Sequence, residues 1–165
     1  MNAARLIGTV CGVGYLRPAP GTWGSLAALP LAWVLHTIGG FPLLVIATLA
    51  VFFGGLWATR VMTEGQDDHD PSEIVIDEVA GQFTALWAIS YPAWAYGIDI
   101  TALWPGWIAG FLLFRLFDIT KPGPVGWADR RNDAMGVMLD DVIAGMFAGT
   151  GVLILAGISH GVLGL

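Results

Sequence analysis

Two pairs of adjacent acids precede apolar runs, an arrangement that could hold a divalent cation at a membrane boundary. Asp77 and Glu78 lie in "IVIDEVAGQ", and Asp140 and Asp141 lie in "GVMLDDVIAG". Adjacent carboxylates can share a hard cation through their oxygen atoms, and the cation suppresses their mutual repulsion. Acids at a helix N-terminus can also simply complement the helix dipole. The presence of two such pairs at the same predicted depth favours the cation site.

Basic residues that could bind phosphate oxygens lie between the two pairs, in "FRLFDITKPGP". If a helix continues through this segment, Arg115, Asp118 and Lys121 form one stripe at positions i, i+3 and i+6 before Pro122. The stripe offers one carboxylate that could bind a cation and two positively charged side chains that could bind phosphate oxygens. An ordinary intrahelical ladder of salt bridges is the alternative, but it accounts for neither acidic pair.

The segment "PAPGTWGS" could form a cradle for an anion. Gly21 and Gly24 allow backbone amides to approach a ligand closely, and Thr22 and Ser25 add hydroxyl groups. Ser25 could also cap a helix that begins at Leu26. A capping loop with no ligand would have much the same sequence, so the spacing by itself is weak evidence.

Cys11 and Arg17 have the spacing of the thiolate phosphatases, whose loop wraps a phosphate. The residues between them lead to prolines rather than to a helix whose N-terminus could lower the pKa of the thiol. We therefore expect Cys11 to be a buried structural cysteine with no role in catalysis.

The sequence "DHDPS", residues 68–72, imitates the DxD of the aspartyl-phosphate phosphatases. It follows polar residues rather than a buried strand, so that chemistry is not expected here. His69 is expected to be a solvated loop residue, with proximity to the metal site as the alternative. His36 and His160 lie at the ends of apolar runs and have no recognisable partners in the sequence.

Long apolar runs must position these residues. A spanning helix needs about 20 mainly apolar residues. The run at residues 26–38 is marginal because Pro30 interrupts it and Gly39 and Gly40 follow it, so it could be re-entrant and form a hairpin with the next span. The predicted spanning or re-entrant stretches are residues 26–38, 41–59, 79–98, 103–116 and 142–159.

Composition agrees with a membrane protein and excludes other classes. Hydrophobic residues make up 56% of the 165 residues and charged residues 12%, and the mean hydropathy is +0.71. The net charge of −6 argues against nucleic acid as a partner. A single cysteine excludes an internal disulfide and a zinc site built from cysteines. We expect one all-α, multi-pass membrane domain over residues 1–165 with four to five spanning or re-entrant helices.

The charged loops all fall on one predicted side of the membrane. With five spans, residues 1–25, 60–78 and 117–141 share that side, which carries all seven basic residues when Arg115 is counted as a boundary residue. The positive-inside rule makes this side cytoplasmic. The N-terminus is then inside and the C-terminus outside, whereas a re-entrant 26–38 would change that parity.

Taken together, these segments resemble those of bacterial phosphatidylglycerophosphatase A, a family of magnesium-dependent lipid phosphatases. The resemblance runs through "PGTWGS", "IVIDEVAGQ", "FRLFDITKP" and "GVMLDDVIAG" in this order, over nearly the whole chain. It implies an all-helical protein of the bacterial inner membrane. It also implies removal of the terminal phosphate of phosphatidylglycerophosphate at the cytoplasmic face, giving phosphatidylglycerol.

On this basis we expect one or two Mg²⁺ ions, since the ligands are oxygens only. The metal would polarise the phosphoryl group and activate a water, with a carboxylate nucleophile such as Asp118 as the alternative chemistry. The role of Asp129, in "WADRR", stays open. The expected metal ligands are Asp77, Glu78, Asp118, Asp140 and Asp141; the phosphate-binding residues are Gly21, Thr22, Ser25, Arg115 and Lys121; and the catalytic residues are Asp77, Asp118, Lys121 and Asp141.

Three other functions fit parts of the pattern. A phosphatase for another lipid phosphate would share the whole site. A small channel or transporter would place ionisable residues deep within its spans, whereas these residues cluster at one edge. A transferase that uses a nucleotide-activated lipid could share the acidic rim, but its DGxxAR signature is absent.

Overall fold

The computed structural model describes residues 2–66 and 68–162, with side chains to residue 159. All regular structure within those ranges is helical, which confirms the all-α prediction. Two short 3-10 helices, Val13–Tyr15 and Ile100–Leu103, lie between the α-helices. The α-helices are α1 (Ala3–Gly8), α2 (Pro20–Thr63), α3 (Ile76–Tyr96), α4 (Trp104–Thr120), α5 (Pro124–Asp129) and α6 (Ala134–Val162).

Helix α2 is a hairpin of two helical halves, residues 20–39 and 41–63, that reverses direction at Gly40. The φ of +65° and ψ of −160° at Gly40 interrupt the helix, and glycine adopts such angles without steric penalty. The first half runs in the same direction as α3, and the second half runs in the opposite direction. The contacts that fix these directions are Ser25–Glu78 and His36–Ser90 for the first half, and Gly55–Ile76 and Thr48–Trp87 for the second.

Helix α3 is the central helix, and it packs against α2, α4 and α6. Fourteen of its 21 residues are buried, including the polar Gln82, Thr84 and Ser90. These polar side chains face neighbouring helices instead of lipid. This explains why α3 is less hydrophobic than α2, α4 and α6. Three helices of the described part of the chain are long and apolar enough to cross a membrane: Pro20–Thr63, Ile100–Thr120 and Ala134–Ser159. With α2 folded into a hairpin and α3 enclosed by the others, the bundle agrees with the predicted multi-pass membrane protein.

Helices α3 and α6 cross in backbone contact through two glycines. A Cβ added to Gly145 would lie 2.2 Å from the carbonyl oxygen of Gly81, and one added to Gly81 would lie 2.6 Å from that of Asp141. Small residues permit this approach between membrane helices. Asp77 and Asp141 each lie one helical turn before one of these glycines. The crossing therefore brings the two acidic pairs together at one end of the bundle.

Candidate active site

A cavity of about 270 Å³ opens at this end of the bundle, where α2, α3 and α6 begin and α4 ends. Eight of the ten residues that the sequence pointed to line this cavity, and Thr22 and Ser25 do not. Residues far apart in the sequence thus form one compartment. Its lining consists of Ala19, Pro20, Gly21, Asp70, Ser72, Ile74, Asp77, Glu78, Arg115, Asp118, Lys121, Asp140 and Asp141.

Three carboxylates from three helices form the closest acidic group in the described residues. One oxygen each of Glu78, Asp118 and Asp141 lies within 4.8 Å of the other two. All three residues are buried, and Oδ2 of Asp141 has no hydrogen-bond partner. A buried carboxylate oxygen without a partner is costly unless a cation or donor satisfies it. The donor set and its spacing therefore fit a divalent cation that prefers oxygen ligands.

The first acid of each pair makes the same local hydrogen bond. Oδ1 of Asp77 accepts from the backbone N–H of Glu78 at 2.9 Å, and Oδ1 of Asp140 accepts from that of Asp141, also at 2.9 Å. This bond fixes the carboxylate of Asp77 in the first turn of α3 and that of Asp140 in the second turn of α6. Asp77 and Asp140 line the cavity beside the three-carboxylate group rather than within it.

Arg115 joins α2, α3 and α4 at the cavity wall. Its guanidinium donates to Oε2 of Glu78, forms an ion pair with Asp118 at 2.8 Å and lies 3.4 Å from Oγ of Ser25. Its buried Nε has no partner. Arg115 thus supplies a fixed positive charge against the acidic group, with donor capacity to spare.

Lys121 lies just beyond α4 and does not continue the predicted helical stripe. The helix ends at Thr120, and Lys121 caps it with a positive φ of +46°. Its Nζ donates to Oδ2 of Asp140 at 2.5 Å and to Oδ1 of Asp129 at 2.6 Å. Burial alone would lower the pKa of Lys121, but its hydrogen bonds to Asp129 and Asp140 raise that pKa above its usual value. Lys121 is therefore a permanently charged group of the cavity.

The prediction that Ser25 caps a helix beginning at Leu26 is wrong, because α2 begins at Pro20. A proline fits the first helical position, where no amide donor is needed. Ser25 lies inside the helix, fully buried, and its hydroxyl donates to the carbonyl of Gly21 or to Oε2 of Glu78. The segment is thus a helix N-terminus, whose early N–H groups lack helical acceptors and favour anions.

Gly21 allows the start of α2 to approach the acidic group. A Cβ at this position would lie 1.9 Å from Oε1 of Glu78 and 3.3 Å from the guanidinium of Arg115. Any side chain would therefore collide with the carboxylate. The pairing of Gly21 with Glu78 explains why the glycine motif and the acidic motif belong to one site.

The cavity is strongly acidic in total. Six carboxylates and two cationic side chains line it, so its formal charge is −4 when every group is ionised. Concentrating carboxylates away from bulk water is unfavourable unless cations accompany them. Arg115 and Lys121 neutralise only part of the negative charge of the carboxylates. The remaining charge agrees with a site for a bound cation.

Comparison with known proteins gives the cavity its context. The sequence profile of Phosphatidylglycerophosphatase A matches residues 6–156. The chain belongs to this family. All four motifs lie within the matched range, and each supplies at least one residue of the cavity lining.

Two named members of the phosphatidylglycerophosphatase A family are similar to the chain. Phosphatidylglycerophosphatase A of Haemophilus influenzae is 37% identical over 150 residues, which cover 90% of this chain and 85% of that protein. Phosphatidylglycerophosphatase A of Escherichia coli is 32% identical over 166 residues, covering 99% and 88%. A Bacteroides thetaiotaomicron protein with the provisional name phosphatidylinositol-3-phosphatase is 36% identical over 148 residues, covering 87% of each chain. No solved structure matches the chain.

Asp70 and Ser72 also line the cavity, although the sequence analysis did not predict them as site residues. Both lie on the loop before α3, and Ser72 accepts a hydrogen bond from Arg17 at 3.2 Å. The signal was present in "DHDPS", which imitated a different phosphatase motif. His69 instead lines a second cavity of about 410 Å³ with Arg60 and other residues.

Two other sequence expectations need correction. Cys11 is exposed rather than buried, and it is not part of the cavity lining. His36 has a partner, because its Nδ1 lies 2.7 Å from Oγ of Ser90 in the adjacent helix. The side chain of His160 lies outside the described residues.

Proposed function

We propose that this protein is a phosphatidylglycerophosphatase, which hydrolyses the terminal phosphomonoester of phosphatidylglycerophosphate to phosphatidylglycerol and inorganic phosphate. The observation that carries the proposal is the buried group of Glu78, Asp118 and Asp141 with two cationic side chains in the same cavity. Phosphoryl hydrolysis requires carboxylates that can hold a metal and, beside them, cationic side chains that can bind the phosphate oxygens. Membership of the phosphatidylglycerophosphatase A family supports the choice of substrate.

The proposed cofactor is Mg²⁺, held by Glu78, Asp118 and Asp141 with Asp77 and Asp140 beside them. Support comes from the unpartnered Oδ2 of Asp141 and from a donor set composed of oxygens, which suits Mg²⁺ better than Zn²⁺. When bound, a divalent cation supplies charge stabilisation at the phosphoryl oxygens and lowers the pKa of the attacking water. The remaining steps belong to residues of the chain itself.

Arg115, Lys121 and the start of α2 bind the phosphoryl group in this proposal. The two side chains donate charge-assisted hydrogen bonds to its non-bridging oxygens, and the first N–H groups of α2, at Gly21 and Thr22, add uncharged donors. Ser25 contributes indirectly, since its hydroxyl is bonded to Glu78 or to its own helix. These groups neutralise the charge that increases in the transition state.

The proposed nucleophile is water, and Asp77 receives its proton. Oδ1 of Asp77 already accepts the backbone N–H of Glu78, so in this proposal Oδ2 is the atom that takes the proton. Asp118 is the alternative nucleophile, but it is paired with Arg115 at 2.8 Å and belongs to the three-carboxylate group. That position favours metal ligation over attack on phosphorus.

We place the site at the cytoplasmic face of the bacterial inner membrane. Support comes from the loops on this side, which hold all seven basic residues when Arg115 is counted as a boundary residue. The residues flanking the cavity include exposed apolar side chains, Trp23 and Leu26 on α2 and Leu116 and Ile119 on α4. Such a rim would let acyl chains stay in lipid while the headgroup enters the acidic cavity.

A substrate panel tests the proposal. The purified protein in mixed micelles with Mg²⁺ is given phosphatidylglycerophosphate, phosphatidate or phosphatidylinositol 3-phosphate, and released phosphate is measured. We expect kcat/KM to be highest for phosphatidylglycerophosphate. A preference for phosphatidylinositol 3-phosphate would assign the chain to the activity that the Bacteroides relative is named for. The absence of release from all three lipids would contradict a lipid phosphatase and favour a non-enzymatic membrane role.

A further inference from the structure

Lys121 is held between two carboxylates of different character. Asp140 is buried in the cavity wall, whereas Asp129 lies at the end of α5 with a side chain that is 43% exposed. The Nζ–O distances are 2.5 Å to Asp140 and 2.6 Å to Asp129. An ammonium group has three N–H donors, so this pairing leaves one donor uncommitted. Since Lys121 lines the cavity, a ligand bound there could accept a hydrogen bond from that third donor.

The short helix α5 is fixed where it can place Asp129 beside Lys121. A Cβ added to Gly126 would lie 2.6 Å from the carbonyl oxygen of Lys121. Helix α5 therefore packs directly against the backbone of Lys121. Gly136 of α6 approaches the carbonyl of Ala128 in the same way, with 2.8 Å to an added Cβ. Val125 and Ala128 are fully buried. The backbone that carries Asp129 is therefore anchored on both the lysine and α6.

We propose that Asp129 is a positioning residue, which with Asp140 orients Lys121 so that its third N–H points to the phosphoryl group in the cavity. The proposal rests on the proposed function. A lysine side chain has four rotatable bonds and loses entropy when it is fixed. Because Lys121 is already paired with Asp129, its side-chain entropy is lost on folding, before the substrate binds. An exposed salt bridge adds little stability, so a catalytic contribution would distinguish it from an ordinary surface pair.

The test is Asp129→Asn, which keeps the side-chain shape and removes the charge. The matched control is Asp133→Asn, because Asp133 forms a comparably exposed pair with Arg131 at 3.1 Å and is not part of the cavity lining. Its Oδ1 also caps α6 by accepting the N–H of Gly136, a bond that asparagine can make equally well. We expect Asp129→Asn to lower kcat/KM by about tenfold, the lower end of the effect seen when a residue that orients a metal ligand is replaced. Asp133→Asn should leave kcat/KM unchanged, and both variants should keep the wild-type melting temperature in detergent.

A double-mutant cycle with Lys121→Ala separates positioning from a general effect. If Asp129 acts through Lys121, Asp129→Asn should have no further effect on kcat/KM once the lysine is removed. An equal loss in both backgrounds would overturn the proposal, as would wild-type kcat/KM for the single variant.

Binding of inorganic phosphate in the presence of Mg²⁺ provides a readout that does not depend on turnover. We expect Asp129→Asn to raise the phosphate Kd about tenfold, and an unchanged Kd would refute the positioning role. A wild-type protein that binds phosphate in this way but releases none from the lipid would instead contradict the proposed function. The two failures are thus distinguishable.

Discussion

Gly21→Ala tests whether the start of α2 must touch the acidic group. The added Cβ would lie 1.9 Å from Oε1 and 2.9 Å from Cδ of Glu78, whereas real Cβ contacts stay above 3.0 Å. Either the carboxylate or the helix must therefore move by about 1 Å. Glu78 is held by Arg115 and Ser25, so its movement would disturb both contacts.

The expected magnitude follows from that displacement. Overpacking of a tight contact costs about 1–3 kcal/mol of stability, which a membrane bundle of this size should tolerate. A misplacement of about 1 Å at a catalytic group can lower the rate about a hundredfold. We therefore expect kcat/KM for phosphatidylglycerophosphate to fall about a hundredfold while the protein still folds and purifies.

The assay is phosphate release from mixed micelles, with a melting curve recorded for each sample. Gly54→Ala is the matched control, because a Cβ at this other α2 glycine has no atom within 4 Å. That control should keep full activity. Wild-type activity in a folded Gly21→Ala protein would refute the claim that this close approach organises the site.

Three further predictions concern other parts of the molecule. Asp141→Asn should lower kcat by at least about a hundredfold and raise the Mg²⁺ concentration needed, because it alters a buried ligand; an unchanged Mg²⁺ titration of phosphate release would exclude that role. Gly145→Ala should lower the melting temperature in detergent, since its Cβ would lie 2.2 Å from the carbonyl of Gly81; Gly157→Ala, with no atom within 4 Å, should not. Cys11→Ser should keep full phosphatase activity, and a folded but inactive variant would restore a thiolate mechanism.

The helical bundle was accessible from the sequence because long apolar runs determine its elements. The interruption at Gly39 and Gly40 predicted a hairpin, and the chain does reverse at Gly40. The exact start of α2 was missed because Ser25 is a common capping residue, whereas Pro20 at the first helical position is the signal that applies.

The site was accessible in part because acids next to apolar runs are unusual enough to indicate a function. Sequence spacing could not indicate which acids meet, since that depends on the crossing of α3 and α6 at Gly81 and Gly145. It also could not indicate that Asp70 reaches the cavity, because a loop carries no periodic pattern. The exposure of Cys11 was mispredicted because cysteine is buried on average, and the local turn decides the individual case.

The most direct test of the account is the metal dependence of phosphate release from phosphatidylglycerophosphate by the purified protein. The account predicts release with Mg²⁺, its loss with excess EDTA and its recovery when Mg²⁺ is added back. Release that is indifferent to EDTA, or no release under any of these conditions, would contradict the proposal that the carboxylates of this cavity hold a catalytic cation.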